Sequence, residues 1–494
     1  MRSSGGPTAS RILTGMGSLA EAEQAYPARL APTPESPAVD HQSPPYWRGS
    51  DPYCNMVSKD PRRSHDVIVG NGRSGCHAHD TAPMLKTPFT PDELERYAAV
   101  AIDRCLDLRP GELLLLHHEP EHRPLAIALA EAGYRRGLQV DDWVADFLMQ
   151  RAEIDHASDQ VLGRLTPWRR ARSMARTEAG AAVISIEGPS EPDALAASDP
   201  ARIALHRRRL VEQLPELFER YDAGFDTSLI IAYPTEAWAR QAYSELEADA
   251  GQRALAEDLL AFCRIGPEDG AGGEALDRHI AMLHERASVV NRLHLRELRF
   301  RGPGTDLHVE LTEDARWGSA DETNAYGRTY VGNLPTEEIY TSPAASATEG
   351  TARCTMPLAW QGRQYEDLRF EFRGGRLVRL DARTEDQRQA LLGLLDVDEG
   401  GRRLGEVALV DRSSRIGQRG RLYWNTLLDE NQACHMALGS GFKSCRTGGQ
   451  SSPDLNTSRT HIDVIIGSPE VEVTGRTVAG ENVPLIVDGD WRPT

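Results

Sequence analysis

From residue 84 onward the apolar and polar positions switch repeatedly between two periods. Thr90-Pro-Asp-Glu93 opens a helix, with Thr90 as N-cap and Glu93 three residues on, the spacing of a capping box. The turn Arg109-Pro-Gly111 then leads into the aliphatic run at 113–116, which predicts a short buried strand. Pro124 suits the first turn of a helix whose Leu125, Leu129 and Ala132 share a face, and Gly137 stops it before a strand at 138–144. Two more aliphatic runs, at 181–186 and 229–232, each end in a Pro-containing turn. Strands alternating with helices predict βαβ units, and hence an α/β N-terminal domain with a mainly parallel sheet over 84–285.

After a charged helical stretch at 274–287 the pattern changes. Strands are expected at 297–301, 305–311, 368–372, 377–381, 407–410 and 461–466, with glycine turns such as Gly374-Gly375 between them. This predicts a second domain, α+β and β-rich, over 286–494. No repeat period of 20 to 50 residues is present.

Composition narrows the function. The 494 residues carry 74 acidic and 56 basic groups, a net charge of −18. Nucleic acid is excluded as a partner, because counterion release needs a basic face. A membrane span is excluded too, since no run approaches the roughly 20 apolar residues required. Residues 1–83 hold eight basic and eight acidic groups and 28 Pro, Gly or Ser residues, so the whole −18 sits in 84–494. This linker-like extension is expected to be disordered, or to reflect an upstream start codon with Met84 as the alternative start. Its Gly70-Asn-Gly-Arg-Ser-Gly75 matches a dinucleotide fingerprint but does not open a helix, and its Cys76, His77, His79 and Asp80 read as solvated. Neither segment enters the candidate site, and no cofactor-binding residues are assigned. Seven cysteines, an odd number with no C-x-x-C pair, point to a reducing, cytoplasmic location.

The chemistry lies in the second half. In Leu404-Gly-Glu406-Val-Ala-Leu-Val410, strand alternation sets Glu406 in an apolar row with Leu404, Ala408 and Val410. A carboxylate there is costly unless a cation pairs with it. In His461-Ile-Asp463-Val-Ile-Ile-Gly467, period two puts His461 and Asp463 on one face, where they can grip one ion. Asp429 to Gly439 reads as a short helix with Asp429 as N-cap and His435 near its end. Glu337 and Glu338 follow Pro335, and in an extended chain only one of them faces a given site. Glu338, Glu406, His435, His461 and Asp463 together offer three carboxylates and two imidazoles, mixed N/O donors suited to divalent transition metals. Three negative charges against two divalent ions leave +1, which one hydroxide neutralises, as a two-metal hydrolase requires.

Four ordered motifs, Asn333-Leu-Pro-Thr-Glu-Glu-Ile-Tyr340, Arg403 to Val410, Leu428 to Gly439 and His461 to Gly467, resemble those of the M29 metalloaminopeptidases, the thermophilic-type aminopeptidases S and T. Looser similarity runs over nearly all of 84–494. The resemblance implies removal of the N-terminal residue from peptides with a free N-terminus, a homodimer, and two divalent ions, zinc or cobalt with manganese or magnesium as alternatives. It assigns Glu338, Glu406, His435, His461 and Asp463 as metal ligands, with Glu406 as the bridge and Glu337 as general base or supporting group. One departure stands out: the family usually carries a tyrosine seven residues after the motif histidine, where this chain has Phe442. A ring-cleaving dioxygenase of the 2,5-dihydroxypyridine type, with one ferrous ion on Glu338, His461 and Asp463, is the alternative chemistry. It leaves Glu406 and His435 unexplained. A catalytically weak metal- or peptide-binding relative is the third reading.

Overall fold

The computed structural model describes residues 86–494 apart from 271–272, 361–362 and 448–453. The readings made for residues 1–83 and for Met84 lie outside the described residues. Thr90 caps the helix Pro91–Val100 as expected, its hydroxyl accepting from the Glu93 amide while Glu93 accepts from the Thr90 amide at 2.8 Å. Among the described residues no helix is long and apolar enough to cross a membrane.

Strands β1 (Leu113–His118), β2 (Gln139–Val144), β3 (Ala182–Glu187) and β4 (Ser228–Ala232) form a parallel sheet in the order β2-β1-β3-β4. Helices connect them, because parallel neighbours need crossover segments. Leu114, Leu116, Ile184, Ile186, Leu229 and Ile231 build its core, and Tyr330, Val331 and Leu334 from the second half of the chain pack into the same core.

Beyond the helix Glu274–Arg292 the sheets are antiparallel. The strands are β5 (Leu295–Gly302), β6 (Thr305–Glu310), the hairpin β7 (Asp321–Thr323) and β8 (Thr329–Val331), β9 (Ile339–Thr341), β10 (Thr348–Arg353) and the hairpin β11 (Leu358–Trp360) and β12 (Arg363–Tyr365). Then follow β13 (Arg369–Arg373), β14 (Arg376–Asp381), β15 (Leu404–Leu409), β16 (His435–Gly439), β17 (His461–Ile465), β18 (Glu472–Thr477), β19 (Asn482–Val487) and β20 (Asp490–Trp491). An eight-stranded sheet, ordered β14-β13-β10-β6-β5-β18-β19-β20, shares one core with the four-stranded sheet β17-β16-β15-β9. Phe300, Val309, Phe370 and Phe372 of the large sheet meet Val407, Leu409, Met436, Leu438, Ile462 and Val464 of the small one. Each such buried side chain contributes roughly 1.5–3 kcal/mol. One face of the small sheet is thereby fixed in the core, and alternation turns the other face toward the chemistry.

Two local expectations are corrected here. His435 lies on a strand and not near the end of a helix: a turn of helix at Thr426–Asp429 and a 3₁₀ turn at Glu430–Gln432 precede β16. Asp429 is no N-cap for that segment, because its carboxylate is taken up by the Tyr423 and Asn425 amides and by Gln432. Cys434, Met436 and Leu438 are core residues, so the segment follows a period of two. Leu404 does not share a face with Glu406. The register against β16 shifts between Leu404 and Glu406, a bulge that sends Leu404 into the core with Val407 and Leu409. Gly405 permits it, since a Cβ there would lie 2.1 Å from the Ser440 carbonyl oxygen.

Candidate metal centre

The face of the small sheet turned away from the core gathers all five predicted ligands. Register places Ala437 opposite both Glu406 and Asp463, Ala408 opposite both Tyr340 and His435, and Gly439 opposite His461. The small residues Ala408, Ala437 and Gly439 leave room above the sheet for the longer polar side chains beside them. Donor atoms of Glu338, Glu406 and His435 lie within 4.8 Å of one another, and so do those of Glu406, His461 and Asp463. Glu406 belongs to both groups.

The donor set fits divalent cations. His435 Nδ1 lies 3.3 Å from the Ala433 carbonyl and His461 Nδ1 lies 2.8 Å from that of Ser440, so each ring has a backbone acceptor for one N–H. Each Nε2 is left to face carboxylates, the orientation that metal-ligating histidines adopt. His435 Nε2 is 2.9 Å from Glu338 Oε2, and His461 Nε2 is 3.0 Å from Glu406 Oε2 and 3.4 Å from Asp463 Oδ1. Glu338 Oε2 is buried with the His435 imidazole against it and no further hydrogen-bond partner among the described residues, which leaves it free to meet a cation.

The electrostatics agree. Burial raises the Glu406 carboxyl to about 7, opposed by the His461 hydrogen bond and reinforced by Glu338 and Asp463. Burial alone would lower both imidazoles, but Glu338, Glu406 and Asp463 outweigh it at His435, and Asp463 and Glu406 do so at His461, pushing both well above the usual range.

Sequence reasoning missed Glu430. It is buried, and burial together with the charges of Asp463, Glu338 and Glu406 pushes its carboxyl well above the ordinary value. The signal was available: an acidic residue five positions before His435, in a segment whose flanks are apolar. Glu337 turns away from Glu338, as an extended chain requires. Arg264 Nη2 lies 2.9 Å from both Glu337 carboxylate oxygens, His279 Nε2 is 3.6 Å away, and the Glu337 amide donates to Asn431 Oδ1 at 2.7 Å. Phe442 packs between Tyr340 and His461, with ring centroids 5.1 Å from each. The described cysteines, Cys105, Cys263, Cys354, Cys434 and Cys445, are free and buried.

Comparison with known proteins gives the same answer from sequence and from shape. Residues 90–491 match the family model of the thermophilic metalloproteases, M29. Aminopeptidase 2 of Geobacillus stearothermophilus is 31% identical over 409 residues, covering 81% of this chain and 97% of its own length. Aminopeptidase T of Thermus thermophilus is 32% identical over 405 residues, covering 81% and 98%. The solved structure of wild-type AmpT from Thermus thermophilus superposes with a TM-score of 0.73 at 30% identity, over 81% of this chain and 98% of that one. The chain belongs to the thermophilic metalloprotease family M29, the family of these aminopeptidases.

Proposed function

We propose that this metal-dependent aminopeptidase removes the N-terminal residue of peptides with two divalent ions, zinc or cobalt, held by Glu338, Glu406, His435, His461 and Asp463. The observation that carries the reading is the pair of donor groups meeting at Glu406, which supports that carboxylate as the shared ligand. When bound, the ions supply Lewis acidity at the scissile carbonyl and lower the pKa of a water toward 7.

The chain's own residues do the positioning. The Ala433 and Ser440 carbonyls aim the two imidazoles, and the core beneath β15, β16 and β17 fixes the strands that carry them. Glu337 is a positioning residue in this reading: its charge is engaged by Arg264, and its amide ties β9 to the turn that carries Glu430. A homodimer is part of the proposal, by resemblance to the family.

The protein is expected to release p-nitroaniline from aminoacyl-p-nitroanilides with a free α-amine and to leave their N-acetylated counterparts intact. Dialysis against a chelator should abolish the activity, and added zinc or cobalt should restore it. Equal turnover of acetylated and free substrates, or turnover unaffected by chelation, would refute the assignment.

A further inference from the structure

Tyr340 stands on the ligand-bearing face of the small sheet and has no role in the account so far. It is two residues after Glu338 on an extended segment, and register sets it opposite Ala408, which is in turn opposite His435. Its ring packs with Ala408 and Cys445 and meets the edge of Phe442 at 5.1 Å, while Phe442 lies 5.1 Å from the His461 ring. Space for the phenol depends on Gly318, where a Cβ would lie 3.0 Å from Tyr340 Cζ and 3.2 Å from Oη. The hydroxyl is only loosely engaged: its acceptor is Glu322 Oε1 at 3.3 Å, and Glu322 also accepts from Tyr330 at 3.3 Å. Glu322 therefore keeps a partner when Tyr340 lets go.

Two aromatic side chains in contact thus flank the site, and the hydroxyl is on the one that β9 supplies. We propose that Tyr340 donates to the developing oxyanion of the scissile carbonyl the hydrogen bond that Phe442 has no hydroxyl to make, with Phe442 as the wall that aims it. The step is hydrogen-bond donation only. The phenol keeps its proton, and the O–H turns from Glu322 to the substrate oxygen. The proposal rests on the aminopeptidase reading and adds to it the residue that meets the reacting oxygen. Losing one such donor typically costs about 10²–10³ in kcat.

The test uses zinc-loaded full-length protein, a phosphinic leucyl dipeptide analogue as the tetrahedral probe and free leucine as the product probe. Tyr340→Phe is expected to weaken the phosphinic analogue by about 10²-fold or more in calorimetry and to lower kcat by a similar factor. Metal content and leucine affinity should be unchanged. In the Tyr340→Phe background, Phe442→Tyr should return analogue affinity to within about tenfold of the parent. Analogue affinity and kcat within threefold of the parent in Tyr340→Phe would overturn the proposal, as would an equal loss of analogue and leucine binding. A parent protein that cleaves no aminoacyl substrate defeats the aminopeptidase reading itself. A parent that cleaves, with Tyr340→Phe indistinguishable from it, defeats only the role of Tyr340.

Discussion

Glu406→Gln is expected to lower kcat/KM by about 10³-fold or more, beyond the roughly 10–100-fold typical of outer partners of a metal ligand. Among the described residues Glu406 alone belongs to both donor groups, so in the proposed two-ion reading its neutralisation weakens both sites at once. Glutamine keeps the shape of the side chain but removes one negative charge and replaces one acceptor oxygen with a donor that cannot bind a cation. The rest of β15 is untouched: Val407 and Leu409 stay in the core, and the bulge at Gly405 remains. Steady-state kinetics at saturating zinc, with thermal melting of the metal-free proteins as a folding control, measure this directly. A variant that melts like its parent and retains a tenth of the activity would show that Glu406 is not the shared ligand.

Arg264→Met is expected to cost about 3–5 kcal/mol of folding stability in urea titration, because it leaves Glu337 as a buried charge without its cation. Both partners are almost fully buried, and Arg264 Nη2 sits 2.9 Å from each Glu337 oxygen. Burial raises the Glu337 carboxyl and lowers the Arg264 guanidinium, each opposed by the attraction of the other, so the pair is poised against a desolvation penalty that one partner alone does not survive. The amide of Arg415 at 3.3 Å is too little to replace the guanidinium. Breaking the exposed Lys86–Asp249 pair is the control and should leave the urea midpoint unchanged. An Arg264→Met midpoint equal to the parent's would mean that Glu337 takes up a proton at no cost, and its positioning role would fall.

Much of this architecture is local and was therefore readable. The capping box at Thr90, the aliphatic runs of the parallel sheet and the alternation that sets His461 and Asp463 on one face, with Ile462 and Val464 on the other, all follow from neighbours in the chain. The errors arose where a local signal competed with a distant one. Asp429 and Gly439 bracket their segment as helix caps do, but Asp429 is engaged by amides on its N-terminal side, and the core takes Cys434, Met436 and Leu438 as strand residues. Strict alternation placed Leu404 beside Glu406. The bulge that separates them depends on how close the Ser440 carbonyl comes to Gly405, a contact between distant strands. The Arg264–Glu337 pair joins residues 73 positions apart, and no spacing rule announces it. Glu430 was within reach, because it shares a segment with His435, but its meaning emerges only once the small sheet brings the three carboxylates Glu338, Glu406 and Asp463 together.

The proposed two-ion site is tested most directly by titrating metal-free protein with zinc or cobalt while following both bound metal and aminoacyl-p-nitroanilide hydrolysis. Two equivalents per chain are predicted, with full activity only when the second is bound, and Glu406→Gln should lose that stoichiometry. Saturation at one equivalent, or one equivalent of iron with oxygen uptake on a dihydroxypyridine and no peptide hydrolysis, would contradict the account.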